Sequence, residues 1–128
     1  MDFKATGKFE VNIIPQADRE IPMLSRMTID KIFKGDLEGI SQGQMLSAKT
    51  SNPKSAGYVA IERVEGVLQG KKGSFILQHS ATMKKGVPSL TILVVPDSGT
   101  DDLVGLSGVF SITVTDGKHF YDFNYSLP

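Results

Sequence analysis

Apolar and polar side chains alternate with a period of two along most of this chain. From Phe3 onward Phe3, Ala5, Phe9, Val11 and Ile13 are apolar, whereas Lys4, Thr6, Lys8, Glu10 and Asn12 are polar. Successive side chains of a strand point to opposite faces, so such a segment buries one face and wets the other. Gly7 interrupts the first run, where a bulge or a sharp coil of the strand is expected. After a loop from Pro15 to Pro22, a second run carries Met23, Met27, Ile29 and Phe33 against Thr28, Asp30 and Lys34; Lys31 sits on the apolar face and breaks the pattern. Gly35-Asp36 is a turn, Leu37 to Thr50 a glycine-interrupted strand, and Ser51 to Ser55 a loop. Gly57 to Gln69 and Ser74 to Met83 read as a hairpin around Gly70-Lys71-Lys72-Gly73, with the next reversal at Lys84-Lys85-Gly86. Ser89 to Val95 is almost continuously apolar, which suits a strand buried on both faces or one whose outer face meets another chain. Pro96 to Gly108 is the longest loop, although its Leu103, Val104 and Leu106 must pack somewhere. Val109 to Thr115 and Lys118 to Leu127 form a last hairpin about Asp116-Gly117, and no segment has helical spacing.

About eight strands joined mainly by short turns predict an all-β protein, a closed antiparallel up-and-down barrel occupying residues 1–128 as one domain, because closure removes exposed strand edges. A two-sheet sandwich is the competing architecture. A chain of 128 residues buries about two-thirds of its unfolded surface, enough for a core without cross-links. Cysteine is absent, which excludes disulfides and thiolate chemistry and suits the cytoplasm. Fourteen basic residues balance fourteen acidic ones, leaving no net field to attract nucleic acid or an anionic membrane. The N-terminal residues lack the pattern of a signal peptide, and no apolar run has membrane-spanning length.

The hairpins show which side chains share a face. With Lys71 and Lys72 as the central turn residues, Val64 faces His79 and Glu62 faces Ala81, which places Tyr58, Ala60, Glu62, Val64 and Leu68 with Phe75, Leu77, His79, Ala81 and Met83 on the apolar face. Glu62 and His79 thus enter the lumen as diagonal neighbours about 7 Å apart at the backbone. Burial would raise the proton affinity of the acid and lower that of the imidazole, so the pair could move a proton, or its members could simply satisfy each other. Counted from Asp116-Gly117, Phe110, Ile112 and Val114 share a face with His119, Tyr121 and Phe123. His119 belongs at the rim. An inward phenol, from Tyr58 or Tyr121, needs a hydrogen-bond partner and often marks the polar end of a cavity. The acidic glycine loop Asp97 to Asp102 lacks the ligand spacing of a calcium loop, and no nucleophile elbow, phosphate loop or paired histidine motif is present, so neither metal nor cofactor is expected.

The run Glu62-Arg63-Val64-Glu65-Gly66-Val67-Leu68-Gln69-Gly70-Lys71-Lys72-Gly73-Ser74-Phe75-Ile76-Leu77-Gln78-His79 resembles the E-R-x-x-G-x-L-x-G-x-x-G-S-F-x-L-Q-H signature of a bacterial domain family of unknown function. Thr6 to Val11, Gly35 to Gly39 and Pro96 to Gly108 resemble further motifs of that family. The family is similar in fold to allene oxide cyclase and, more distantly, to dirigent proteins. That resemblance implies a barrel with a hydrophobic cavity and homo-oligomers, and it makes the signature residues Glu62, Arg63, Gln78 and His79 a site to test. No catalytic residue of the plant cyclase maps onto these motifs. Three functions are open: a barrel binding a small apolar ligand, with Tyr58, Phe75, Leu77, Tyr121 and Phe123 as lining and Glu62 with His79 as polar anchor; an isomerase or cyclase using the same pair; or a filled barrel that assembles with further copies through Leu90 to Val95.

Overall fold

The computed structural model describes residues 1–17 and 21–128, so three residues of the expected loop between Pro15 and Pro22 lie outside the described ones. Eight strands follow in chain order: β1 Asp2–Pro15, β2 Leu24–Gly35, β3 Leu37–Lys49, β4 Ala56–Leu68, β5 Lys71–Lys84, β6 Val87–Val94, β7 Ser107–Thr115 and β8 Lys118–Ser126. Each pairs antiparallel with the next, and β8 returns to pair with β1, so the sheet is a closed up-and-down barrel rather than a sandwich. Among the described residues no helix is long and apolar enough to cross a membrane.

The alternation sets which side chains enter the lumen. On β1 the odd positions point inward, and antiparallel pairing carries that parity round the ring: Phe9 meets Phe33, Val11 meets Lys31, and Lys31 meets Ser41. Glycines stand where two inward groups would collide. A Cβ on Gly7 would lie 2.4 Å from the Tyr121 hydroxyl, so Gly7 makes room for that ring in an unbroken ladder, where a bulge was expected.

One half of the lumen is packed solid. Phe33, Phe75, Phe110, Tyr121 and Phe123 are all buried and meet ring to ring at 5.3–6.0 Å between centroids. The Tyr121 hydroxyl is locked there, accepting from the Leu37 N–H at 2.9 Å and donating to the Lys34 carbonyl at 2.8 Å. Below it the loop after β6 closes the barrel end. Its single 3₁₀ turn, Asp101–Leu103, drives Leu103 and Leu106 into the core and leaves Val104 outside. Strands β6 and β7 share only the pairs Ile92–Phe110 and Leu93–Val109. The loop partners the edge of β5 that β6 leaves free: Thr100 N–H donates to the Ser74 carbonyl at 2.9 Å, and Ile76 N–H to Ser98 Oγ at 3.0 Å.

Strand β6 turns Ile92 and Val94 into the core and Leu90 toward the lumen, so Val87 and Leu93 are the large apolar side chains of its outer face.

The opposite half is open. Inward side chains become steadily more exposed toward the far ends of the strands: along β5 from Leu77 at 0% through His79 at 4% to Met83 at 43%, along β1 from Ala5 at 0% to Ile13 at 45%, and along β7 from Phe110 at 2% to Val114 at 60%. The lumen therefore opens toward this end as a funnel of mostly apolar inward side chains, with a floor at the level of His79.

Candidate functional site

Four adjacent strands set that floor. Lys31 comes from β2, Ser41 from β3, Glu62 from β4 and His79 from β5, and each is buried. The chain reverses between β4 and β5 at Gln69-Gly70, both with positive φ, and not at Lys71-Lys72, which lie in β5. A tight turn of this kind needs two left-handed residues, and a glycine at the second is its ordinary sign. The register therefore differs by four residues from the one counted around the lysines: Glu62 pairs with Leu77, and Ala60 with His79. An even shift leaves every side chain on its expected face, and Glu62 and His79 remain diagonal neighbours.

Glu62 is fully enclosed, and both of its carboxylate oxygens are engaged. Oε2 accepts from Lys31 Nζ at 2.8 Å and from His79 Nε2 at 2.6 Å, while Oε1 accepts from Ser41 Oγ at 2.8 Å. Gly43, opposite Glu62 on β3, makes the reach toward Lys31 feasible, because a Cβ there would stand 2.7 Å from both Cα and Cβ of Glu62. The Lys31 ammonium also lies 5.0 Å from the centroid of the Phe9 ring and 6.0 Å from that of Phe33, which offsets part of its lost hydration.

Burial alone would raise the Glu62 carboxyl, as expected for an inward acid. Here the His79 hydrogen bond, the charge and hydrogen bond of Lys31, and the attraction of His79 outweigh burial and hold the carboxyl at about 2. The acid of the expected proton-moving pair is thus a fixed anion. An ionised carboxylate only accepts, so His79 Nε2 carries the proton and Nδ1 is the ring atom left over. No polar side-chain atom among the described residues is both sealed from solvent and unpartnered, and Nδ1 has no protein partner; it therefore keeps some contact with solvent. The Tyr58 hydroxyl, on the same face of β4 one step nearer the mouth than Ala60, is likewise without a protein partner. Its phenol is raised by burial and then by the Glu62 charge.

The other sequence candidates separate into two groups. Phe75, Leu77, Tyr121 and Phe123 lie in the packed half, among the aromatic rings. Arg63 and Gln78 point outward, and Arg63 pairs with Glu65 on the surface at 3.2 Å. His119 is partly buried, with its ring 5.2 Å from that of Phe9. Lys31 and Ser41 were not foreseen as site residues. A lysine at an apolar position was the available sign for the first, whereas nothing separates Ser41 from any other serine of a strand. No group of three or more acidic or histidine side chains is placed to hold a metal ion among the described residues.

The model of a family described as "Protein of unknown function (DUF3224)" matches residues 5–125. The chain belongs to the DUF3224 family. A crystal structure of a DUF3224 protein of unknown function from Shewanella oneidensis MR-1 is similar over 100% of this chain and 98% of its own, with 45% identity and a TM-score of 0.94. No match was found among curated proteins.

Proposed function

We propose that this DUF3224 protein binds a small apolar ligand in the open half of its lumen, with Lys31, Tyr58 and His79 fixing one polar group at the floor. The observation that carries the reading is the exposure gradient: apolar inward side chains that grow more accessible toward one end, beside Lys31, Tyr58 and His79, whose hydrogen-bonding groups are not all taken up by the protein. Glu62 acts on the ligand only by holding Lys31 and His79 in place. The packed aromatic half, with Phe75, Leu77, Tyr121 and Phe123, serves as the rigid base of the site. The resemblance of the sequence motifs to a family similar in fold to allene oxide cyclase is in keeping with a lumen that accepts an apolar molecule, and no activity is carried over from it. An isomerase in which Glu62 shuttles the proton is disfavoured, because a carboxylate with three donors and a pKa near 2 is a poor base at neutral pH.

The test is saturable fluorescence enhancement of a neutral apolar dye, N-phenyl-1-naphthylamine. Ala81 points inward one step above His79, and its neighbour Ser80 points outward. A81W should abolish saturable binding with the circular dichroism of the barrel retained, and S80W should leave binding unchanged. Equal binding by wild type and A81W, or no saturable binding by wild type, would overturn the reading.

A further inference from the structure

The floor of the funnel is rich in donors and poor in acceptors. Both oxygens of Glu62 are taken, Oε1 by Ser41 and Oε2 by Lys31 and His79. Lys31 has three N–H groups and spends one on Glu62; Tyr58 has an unpartnered O–H; His79, whose Nε2–H is spent on Glu62, presents Nδ1, a lone pair when bare and a further N–H when protonated. A ligand that completes this set supplies several acceptor sites and at most one donor. A carboxyl group does so with two oxygens, a hydroxyl does so in part, and an amine sets a second cation beside Lys31.

Charge narrows the choice further. Lys31 and Glu62 cancel, so a carboxylate arriving alone would bring an uncompensated anion into a largely apolar site, at a cost that strongly opposes binding. A proton on Nδ1 removes that cost. The resulting imidazolium keeps its Nε2–H on Glu62 and offers a second N–H to the ligand, a charge-assisted bond at each end.

We propose that the ligand is an apolar carboxylic acid, seated with its carboxylate on His79, Lys31 and Tyr58 and bound with uptake of one proton by His79. The proton comes from solvent and no other bond is made or broken. This rests on the lumen reading above. The groups around His79 agree with it: Glu62 and Tyr58 from β4, Lys31 across β3 from β2, and the apolar Ile92 and Leu90 from β6, whereas His119 of β8 packs against Phe9 of β1.

Decanoic acid, decan-1-ol and decylamine are the probes, titrated calorimetrically into the wild-type protein at pH 8, each in buffers of differing ionisation enthalpy. Decanoate should bind about tenfold more tightly than decanol. The slope of its binding enthalpy against buffer ionisation enthalpy should show close to one proton taken up, against none for decanol. His79→Gln should lose the uptake and the preference for decanoate while still binding decanol; should that variant fail to fold, the wild-type slope and ranking decide alone. Decanol or decylamine binding as well as decanoate, or decanoate binding without proton uptake, would overturn the carboxylic acid and leave the apolar lumen standing. If none of the three binds and the neutral dye does not bind either, the lumen reading itself has failed.

Discussion

Replacing Glu62 by glutamine keeps the volume of the side chain and removes its charge, so it isolates what the buried anion contributes. The carboxyl stands at about 2 in the folded protein against an ordinary value of 4.5. At 1.36 kcal/mol per unit, that difference is worth about 3 kcal/mol of folding stability at neutral pH. A depressed carboxyl stabilises the fold above its unfolded value and loses that contribution as pH falls through the folded one. About 2 kcal/mol of the total should therefore be gone at pH 3 and nearly all of it at pH 2. At pH 7 E62Q should be less stable than wild type by about 3–5 kcal/mol, since it leaves the Lys31 ammonium buried without its counter-charge. Equilibrium unfolding in urea, followed for both proteins from pH 7 down to pH 2, measures the gap directly. Subtracting the variant removes the titration of every other carboxyl common to both. The gap should narrow by about 3 kcal/mol over that range, most steeply below pH 4.5. A gap independent of pH would show that Glu62 is not an anion held by Lys31 and His79.

Lys31→Met should cost about 3–5 kcal/mol in urea unfolding at pH 7, and the double variant K31M/E62Q should cost less than the sum of the two single changes, because both remove the same pair. Gly43→Ala should destabilise by at least about 1–3 kcal/mol, as its Cβ would meet the Ile61 carbonyl at 2.4 Å; Gly57→Ala, whose nearest contact is at 3.5 Å, should shift the unfolding midpoint little. Equal midpoints for the two alanine variants would refute the packing account. Tyr121→Phe should lower stability by about 1–3 kcal/mol in the same assay, since it leaves the buried Leu37 N–H without the phenol oxygen at 2.9 Å.

The inward and outward faces of the strands were legible because parity is robust. The turn between β4 and β5 lies at Gln69-Gly70 and not at the lysines, yet the four-residue difference in register is even, and Glu62 and His79 stayed inside. The turn and register of the last hairpin were legible, with Val114 opposite His119 and Ile112 opposite Tyr121 about Asp116-Gly117, although its first strand begins at Ser107, inside the expected loop. Lys31 was visible as a misfit on an apolar face. Its partner was not, since Lys31 and Glu62 are 31 residues apart and meet only across an intervening strand that carries glycine at position 43.

By itself the sequence determined an all-β barrel and the membership of its inner face, since alternation and turn chemistry are local and each strand carries its own record of them. Tertiary structure alone decided which half of the lumen is filled and which is open, and that the inward acid is a clamped anion in place of a proton carrier. Both depend on groups brought together by closure of the ring: aromatic rings from β2, β5, β7 and β8 that exclude all space between them, and a lysine two strands away whose charge reverses the effect of burial on a carboxyl.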